Sequence, residues 1–277
     1  MGVRVVRKSV LTFYTVLSFL NFTDYIPSFT GVYNQLTYLC FIENKFVNTF
    51  EANKINIFNY MMKFFKRFQD LGIEGAQAKY YDKMTREHRV VEMKEQAKEI
   101  TRHIKDGDSV LEVAPGAGYL SIELSKLGKY KITGMDISRD LVEICTRNAI
   151  EAGVQIDFQQ GNVSEMPFQS NLFNFIICVL AFKNFKEPLK ALEEMHRVLK
   201  PGGTALIMDL NRKASMRETK KVAVKMGLKG LKAYIAGAIQ RSGAYSRNEF
   251  ETFISQTEFK DYEIRDTEMG FSVYLKK

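Results

Sequence analysis

Cysteine is scarce. The 277 residues hold three, Cys40, Cys145 and Cys178, all far apart. They form no CxxC pair and no ladder, which excludes a disulfide scaffold and a structural zinc site and predicts a reducing compartment, the cytoplasm. Histidine is as scarce: His88, His103 and His196 stand alone, with no HExxH spacing, so no metal is expected. Long apolar runs are missing too. The uncharged "SVLTFYTVLSFLNFT" follows Arg4, Arg7 and Lys8 as a signal segment would. It falls short of the ~20 apolar residues of a membrane span, and Thr, Ser and Asn interrupt it. Internal repeats and low-complexity linkers are also absent.

What is present reads as globular: 45% of residues are hydrophobic and 26% charged, an ordinary balance for a buried core under a solvated surface. The net charge of +8 fits either an anionic partner or a well-solvated surface. Residues 1–60 differ from the rest, being rich in Phe, Tyr, Asn, Thr and Ile. Three readings compete for them: a membrane-associating leader, a helical extension packed on the core, or an over-extended start with translation beginning at Met61 or Met62. A genuine leader would add membrane association. One domain is expected over 61–277.

From about Lys94 strand and helix alternate. "VEMKEQAKEITRHI" carries Val91, Met93, Ala97, Ile100 and Ile104 at helical spacing. "SVLEVA" is strand 1 and "YLSIELSKLG" a helix closed by Gly128. "YKITGMDI" is strand 2, and a helix N-capped by Ser138 runs to Gly153. "VQIDFQQGN" is strand 3. "NLFNFIICVLAF" is strand 4, apolar nearly throughout, as a strand covered on both faces should be. "EPLKALEEMHRVLKPGG" is a helix with a sharp stop, and "TALIMDL" is strand 5. A basic helical region over 214–240, the helix "YSRNEFETFISQT" and the strand pair "DYEIRDT" and "GFSVYLKK" complete the chain. This order predicts an α/β fold, a doubly wound, mostly parallel Rossmann-like sheet with helices on both faces. Ligands of such sheets bind beyond the carboxyl ends of the strands.

The turn "APGAG" sits at that end of strand 1. A phosphate loop needs a lysine and a hydroxyl after its glycines, but Tyr119, Leu120 and Ser121 follow here. The dinucleotide pattern GxGxxG is matched poorly, which also speaks against a nucleotide-dependent oxidoreductase. Glu112 in the mouth of the pocket would repel a pyrophosphate and welcome an ammonium. Asp136 ends strand 2, where a carboxylate accepts ribose hydroxyls. Asn162, after strand 3, has donor and acceptor groups for an adenine edge. A ligand with an amino-acid end, a ribose and an adenine satisfies all three, and S-adenosylmethionine is such a ligand.

In these motifs the chain resembles the class I S-adenosylmethionine-dependent methyltransferases, from about Asp82 to Lys277. "VLEVAPGAGYL", "ITGMDIS", "GNVSEMPF", "NLFNFIICVLAFKNFKEP" and "EMHRVLKPGGTALIMDL" occur in the family's order. Ala114 departs from the first glycine of ExGxGxG, and Asn162 from the commoner Asp. The resemblance implies a seven-stranded sheet whose last strand runs antiparallel. It also implies that Glu112, Ala114, Gly116 and Gly118 surround the methionine part and Asp136 holds the ribose. Ile137 would pack on the adenine, with Asn162 and Val163 at its edge, and Val179 and Leu180 would form the floor near the sulfonium.

Methyl transfer from a sulfonium is an in-line displacement that needs alignment and exclusion of water rather than a triad or a metal. Candidates on the acceptor side are Tyr80, Tyr81, His88, Phe182, Lys183, Phe185 and Tyr245. Tyr81, in the helix before the core, would close over the cofactor, while Lys183 would meet an anionic acceptor. His88 is either a base or a packing residue, and His196 is structural. The basic run after strand 5 fits an acidic small molecule, a lipid headgroup or a solvated face. Nucleic acid is not expected, since no stacking platform is evident. The activity expected is methylation of a small quinone-like or lipid-like molecule. The alternative is a cofactor-binding regulatory or scaffold protein without transfer activity.

Overall fold

The computed structural model describes residues 72–225, 229–267 and 270–277, so the calls made on residues 1–60 lie outside the described residues. The chain divides into two compact units; the sheet belongs to the unit made of Gln69–Glu74 and Ala78–Lys277. Helices α1 (Ala76–His88) and α2 (Val90–Ile100) lead into β1 (Ser109–Val113), α3 (Tyr119–Ser125), β2 (Lys131–Asp136), α4 (Arg139–Glu151), β3 (Asp157–Gln160) and β4 (Phe173–Val179). Then follow α5 (Pro188–Val198), β5 (Leu199–Leu210), α6 (Met216–Lys225), α7 (Gly230–Gly243), α8 (Arg247–Ser255), β6 (Asp261–Asp266) and β7 (Gly270–Lys276).

The seven strands form one sheet in the order β3-β2-β1-β4-β5-β7-β6. β7 pairs antiparallel with both β5 and β6, and the other pairs are parallel. The strand order reverses between β1 and β4, which start the two windings and lie side by side. The anticipated fold class, including the antiparallel last strand, is therefore observed.

Alternation along the central strands loads both faces. Val110, Phe175 and Ile177 pack with Met93, Ala97, Ile100, Leu120 and Leu124 under α2 and α3. Leu111, Ile176 and Cys178 pack with Leu192, Met195, Phe250 and Ile254 under α5 and α8. Cys145 and Cys178 are both buried free thiols.

Four features differ from the sequence pattern. β5 begins at Leu199, so "KPGG" is not a stop but part of the strand. Its register against β4 jumps from Phe173↔Leu199 to Phe175↔Thr204, a bulge in which Gly202 (φ 78°) donates its amide to Lys277 at 2.8 Å. β4 stops at Val179, and Phe182 lies in a 3₁₀ turn, Phe182–Asn184. The basic stretch holds two helices, α6 and α7. Val91, counted with the apolar stripe of α2, is 76% exposed.

Candidate functional site

The turn after β1 is built from backbone conformations few residues adopt. Ala114 (φ 55°), Gly116 (φ 59°) and Gly118 (φ 80°) are all left-handed. At Gly118 a Cβ would stand 2.6 Å from the Cβ of Cys145, so the turn and α4 meet only because that atom is missing. Ala114, where the resembling family usually has glycine, adopts this left-handed conformation at a strain cost of about 1–2 kcal/mol.

Glu112 lies on β1, 4% exposed, and accepts a hydrogen bond from Ser121 Oγ on α3. Burial pushes its carboxyl up to about 7; the Ser121 hydrogen bond opposes this, and the nearby Asp136 carboxylate adds to it. Asp136 ends β2, 5% exposed. Its Oδ2 accepts from the Gly116 amide at 3.1 Å and its Oδ1 from the Ser138 amide at 2.9 Å, so it ties β2 to the turn. Burial, the largest influence, raises its pKa, and those amides oppose the rise. Ser138 N-caps α4 as anticipated, its Oγ accepting from Leu141 at 3.0 Å. Glu74 adds a second cap that local sequence does not reveal, accepting the amides of Arg139 (3.0 Å) and Asp140 (3.1 Å).

A small cleft of about 40 Å³ brings together four predicted residues, Ala114, Ile137, Asn162 and Val163, with Phe185 from the predicted acceptor side. Asn162 Oδ1 accepts from the Ser164 amide at 2.9 Å, an Asx turn. The loop beyond it is pinned to α5: Arg197 donates to the carbonyls of Phe168 (2.7 Å) and Met166 (3.0 Å), while Glu194 accepts the Met166 amide. Ser164 Oγ is buried without a hydrogen-bond partner. Ser164 directly follows Val163 of the cleft lining, and an orphaned hydroxyl there fits a polar ligand that completes it.

The predicted acceptor residues divide. Phe182 packs on Phe185 (5.5 Å), Tyr245 (5.9 Å) and Phe250 (4.6 Å), an aromatic cluster after β4. Lys183 does not extend toward solvent. It is 8% exposed and pairs with Asp209 at 3.3 Å, its amide also donating to Asp209 Oδ2 at 2.9 Å. The charge expected to meet an anionic acceptor is thus paired with Asp209 inside the fold.

His88 is not gathered at the turn. It lines a separate groove of about 640 Å³ between α2 and the β5–β7 face, with Leu206, Met208 and Tyr274. Tyr80 is 37% exposed. His196 is structural as expected, stacked edge-on against Phe259 (4.9 Å) and paired with Glu258 (3.3 Å). Tyr81 lies on the turn itself: a Cβ on Gly116 would stand 2.8 Å from its Cε1. Among the described residues no group of three His, Cys, Asp or Glu is gathered as for a metal ion, and no helix is long and apolar enough to cross a membrane.

Residues 111–207 match the family described as "Methyltransferase domain". This stretch is a methyltransferase domain. The match agrees with the methyltransferase resemblance seen in the motifs. Its curated relatives include a ubiquinone/menaquinone biosynthesis C-methyltransferase from Bdellovibrio bacteriovorus, 36% identical over 108 residues, 38% of this chain and 45% of that protein. Another is a demethylmenaquinone methyltransferase from Chlorobaculum parvum, 33% identical over 100 residues, 36% of this chain and 40% of that protein. The chain thus spans less than half the length of these relatives. In fold the methyltransferase domain is similar to an S-adenosylmethionine-dependent methyltransferase of Methanococcus maripaludis, with a TM-score of 0.62 at 22% identity over 73% of this chain and 92% of that one. It is also similar to the plantazolicin methyltransferase BpumL solved with S-adenosylhomocysteine, with a TM-score of 0.58 at 14% identity over 79% of this chain and 98% of that one.

Sequence reasoning missed Ser121, Asp209, Asp82 and Asn148. Asp209 carried a usable signal, since it closes an apolar strand in "LIMDL" as Asp136 does in "ITGMDI".

Proposed function

We propose that this chain transfers the methyl group of S-adenosylmethionine to a hydrophobic small molecule of quinone-like or lipid-like character. The observation that carries the reading is the conjunction, at the carboxyl ends of β1 and β2, of a left-handed glycine turn with two buried carboxylates, Glu112 and Asp136. In this reading Glu112 attracts the amino-acid ammonium, Asp136 accepts from the ribose hydroxyls and Ile137 lies against the adenine. Asn162 and Val163 meet the adenine edge, and Ala114, Gly116 and Gly118 let the backbone approach the methionine part. S-adenosylmethionine supplies an activated methyl on a good leaving group. The protein aligns the acceptor with that methyl and keeps water away.

A hydrophobic acceptor is supported by the apolar side chains gathered beyond Val179. Phe182, Phe185 and Tyr245 form the aromatic cluster on one side. On the other, Val179 pairs in register with Met208, which lines the larger groove. The names of the relatives point the same way, one belonging to ubiquinone/menaquinone biosynthesis and the other being a demethylmenaquinone methyltransferase.

Calorimetric titration with S-adenosylhomocysteine is the first test. The parent should bind at micromolar affinity, and Asp136→Ala should weaken binding at least tenfold, about 1.4 kcal/mol. Labelled-methyl transfer to a demethylmenaquinol, beside phospholipid vesicles as a second acceptor, then separates the two acceptor classes. A folded parent that does not bind S-adenosylhomocysteine removes the reading.

A further inference from the structure

α1 meets the glycine turn through a polar cluster that the proposed transfer does not itself require. Ala78, Asp82, Thr85 and Arg89 are buried in a stripe at three- and four-residue spacing, and Tyr81 flanks it. The Asp82 carboxylate sits at its centre. Oδ1 accepts from Tyr119 Oη at 2.9 Å and from Asn148 Nδ2 at 2.9 Å, and Oδ2 accepts from Arg86 at 3.3 Å. Tyr119 opens α3 directly after the turn. Asn148, 3% exposed on α4, donates its second Nδ2 hydrogen to the carbonyl of Ala117 inside the turn at 2.9 Å and accepts from Arg86 at 3.2 Å. Arg86 Nε closes the ring on Tyr119 Oη at 2.8 Å.

Three side chains on three helices, Arg86, Tyr119 and Asn148, thus converge on the Asp82 carboxylate, and Asn148 also holds the turn carbonyl of Ala117. The neighbouring Tyr81 is the residue whose ring lies against Gly116. The position of that ring depends on where α1 docks, and the docking is set by groups with defined direction rather than by apolar contact alone. Burial is the largest influence on the Tyr119 hydroxyl, pushing it up to about 12, and the Asp82 hydrogen bond acts the same way. Tyr119 therefore remains a donor to Asp82 across the working pH range.

We propose that Asp82, clasped by Tyr119 and Asn148, is a positioning residue for the cofactor: it holds Tyr81 over the Gly116 turn and so slows release of the ligand's methionine end. This rests on the reading of that turn as the cofactor site. Asp82 acts through Tyr81 and does not touch the ligand.

The test uses the full chain with S-adenosylhomocysteine as probe, its affinity read by calorimetry and its dissociation by stopped flow. Tyr81→Ala should speed dissociation about tenfold. Asp82→Asn should speed it about fivefold with little change in the association rate, and Asp82→Asn/Tyr81→Ala should be no worse than Tyr81→Ala alone. Tyr119→Phe removes one donor while keeping the ring and the charge. It should shift dissociation in the same direction by about twofold and guards against a poorly folded Asp82 variant. A purely structural clasp would lower thermal stability in Asp82→Asn and Tyr119→Phe but leave dissociation at the parent rate; that result overturns the proposal. So does a double variant whose effect is the product of the single ones. A parent that does not bind S-adenosylhomocysteine fails differently, since it removes the cofactor site and the clasp's role together.

Discussion

Two turns leave the sheet side by side, one after β1 and one after β4, and they are built alike up to a point. Each exits through a left-handed residue that is not glycine, Ala114 (φ 55°) and Leu180 (φ 56°). Each of those residues extends the parallel ladder by one bond, Ala114 to Met135 at 2.8 Å and Leu180 to Met208 at 2.7 Å. Each turn is then caught by an aspartate from the adjoining strand: Asp136 accepts the Gly116 amide and Asp209 the Lys183 amide. Beyond that they part. Asp136 is held by backbone amides, and a cleft lies beside its turn. Asp209 also takes the Lys183 ammonium, and aromatic rings pack around the turn. The same backbone device holds the first acid on backbone amides, in the place the proposed function gives to a polar ligand. At the second turn the acid is balanced internally by Lys183 and surrounded by buried aromatic rings.

The largest expected effect comes from unbalancing the second turn. Lys183→Met leaves Asp209 buried without its cation and should cost about 3–5 kcal/mol in urea denaturation. Lys183→Met/Asp209→Asn should recover more than half of that loss. A single variant within about 1 kcal/mol of the parent would mean that the pair is not what holds this turn.

Crowding the first turn comes next. Gly118→Ala places a methyl in left-handed backbone, 2.6 Å from Cys145 Cβ. Strain and overpacking together should cost about 2–4 kcal/mol by the same measurement. Parent-like stability would show that α4 shifts freely away from the turn, contrary to its anchoring at Ser138 and Glu74.

The balance of charge in the two turns predicts a pH effect confined to the first. Burial raises the Glu112 carboxyl to about 7, so the apo protein holds a proton there below that pH. A ligand ammonium favours the carboxylate. Affinity for S-adenosylhomocysteine should therefore rise from pH 6 to pH 8, by roughly tenfold, and level off above. Folding stability moves in the opposite sense. The folded state binds the Glu112 proton more tightly than the unfolded chain, so this group's contribution falls as pH rises from about 4.5 to about 7. Glu112→Gln should flatten the affinity profile, and an unchanged slope would detach Glu112 from the ligand.

Much of this was legible in the sequence where the signal was local. Apolar runs ending in an acid marked β2, and the spacing of strand and helix gave the winding. What was not legible depended on distant partners. "KPGG" carries every local mark of a stop, yet Gly202 bonds to Lys277, and the stretch becomes a bulge within β5. Lys183 looks like a free cation because Asp209 lies 26 residues on. Tyr81 drew notice in the helix before the core, as a residue expected to close over the cofactor. Asp82 beside it did not, since its partners Tyr119 and Asn148 stand 37 and 66 residues away on other helices.

The smallest effect separates the two left-handed exits. Ala114 and Leu180 have nearly the same φ, so backbone strain alone predicts the same gain from glycine at either position, about 1 kcal/mol or slightly more. Glycine also loosens the unfolded chain, which returns about 0.4–1 kcal/mol of that gain. At Ala114 little else is lost, because one methyl at the edge of the core is removed, and Ala114→Gly should stabilise the fold by up to about 0.5 kcal/mol. Leu180 packs on Leu210 and Ala244, so Leu180→Gly removes an apolar side chain as well and should destabilise by about 1–2 kcal/mol. Opposite signs from two turns of matching backbone would show that the first position tolerates its alanine, while the second keeps its leucine for the surface it builds. Equal signs would mean that strain decides both exits and that the Leu180 side chain contributes little to the acceptor side.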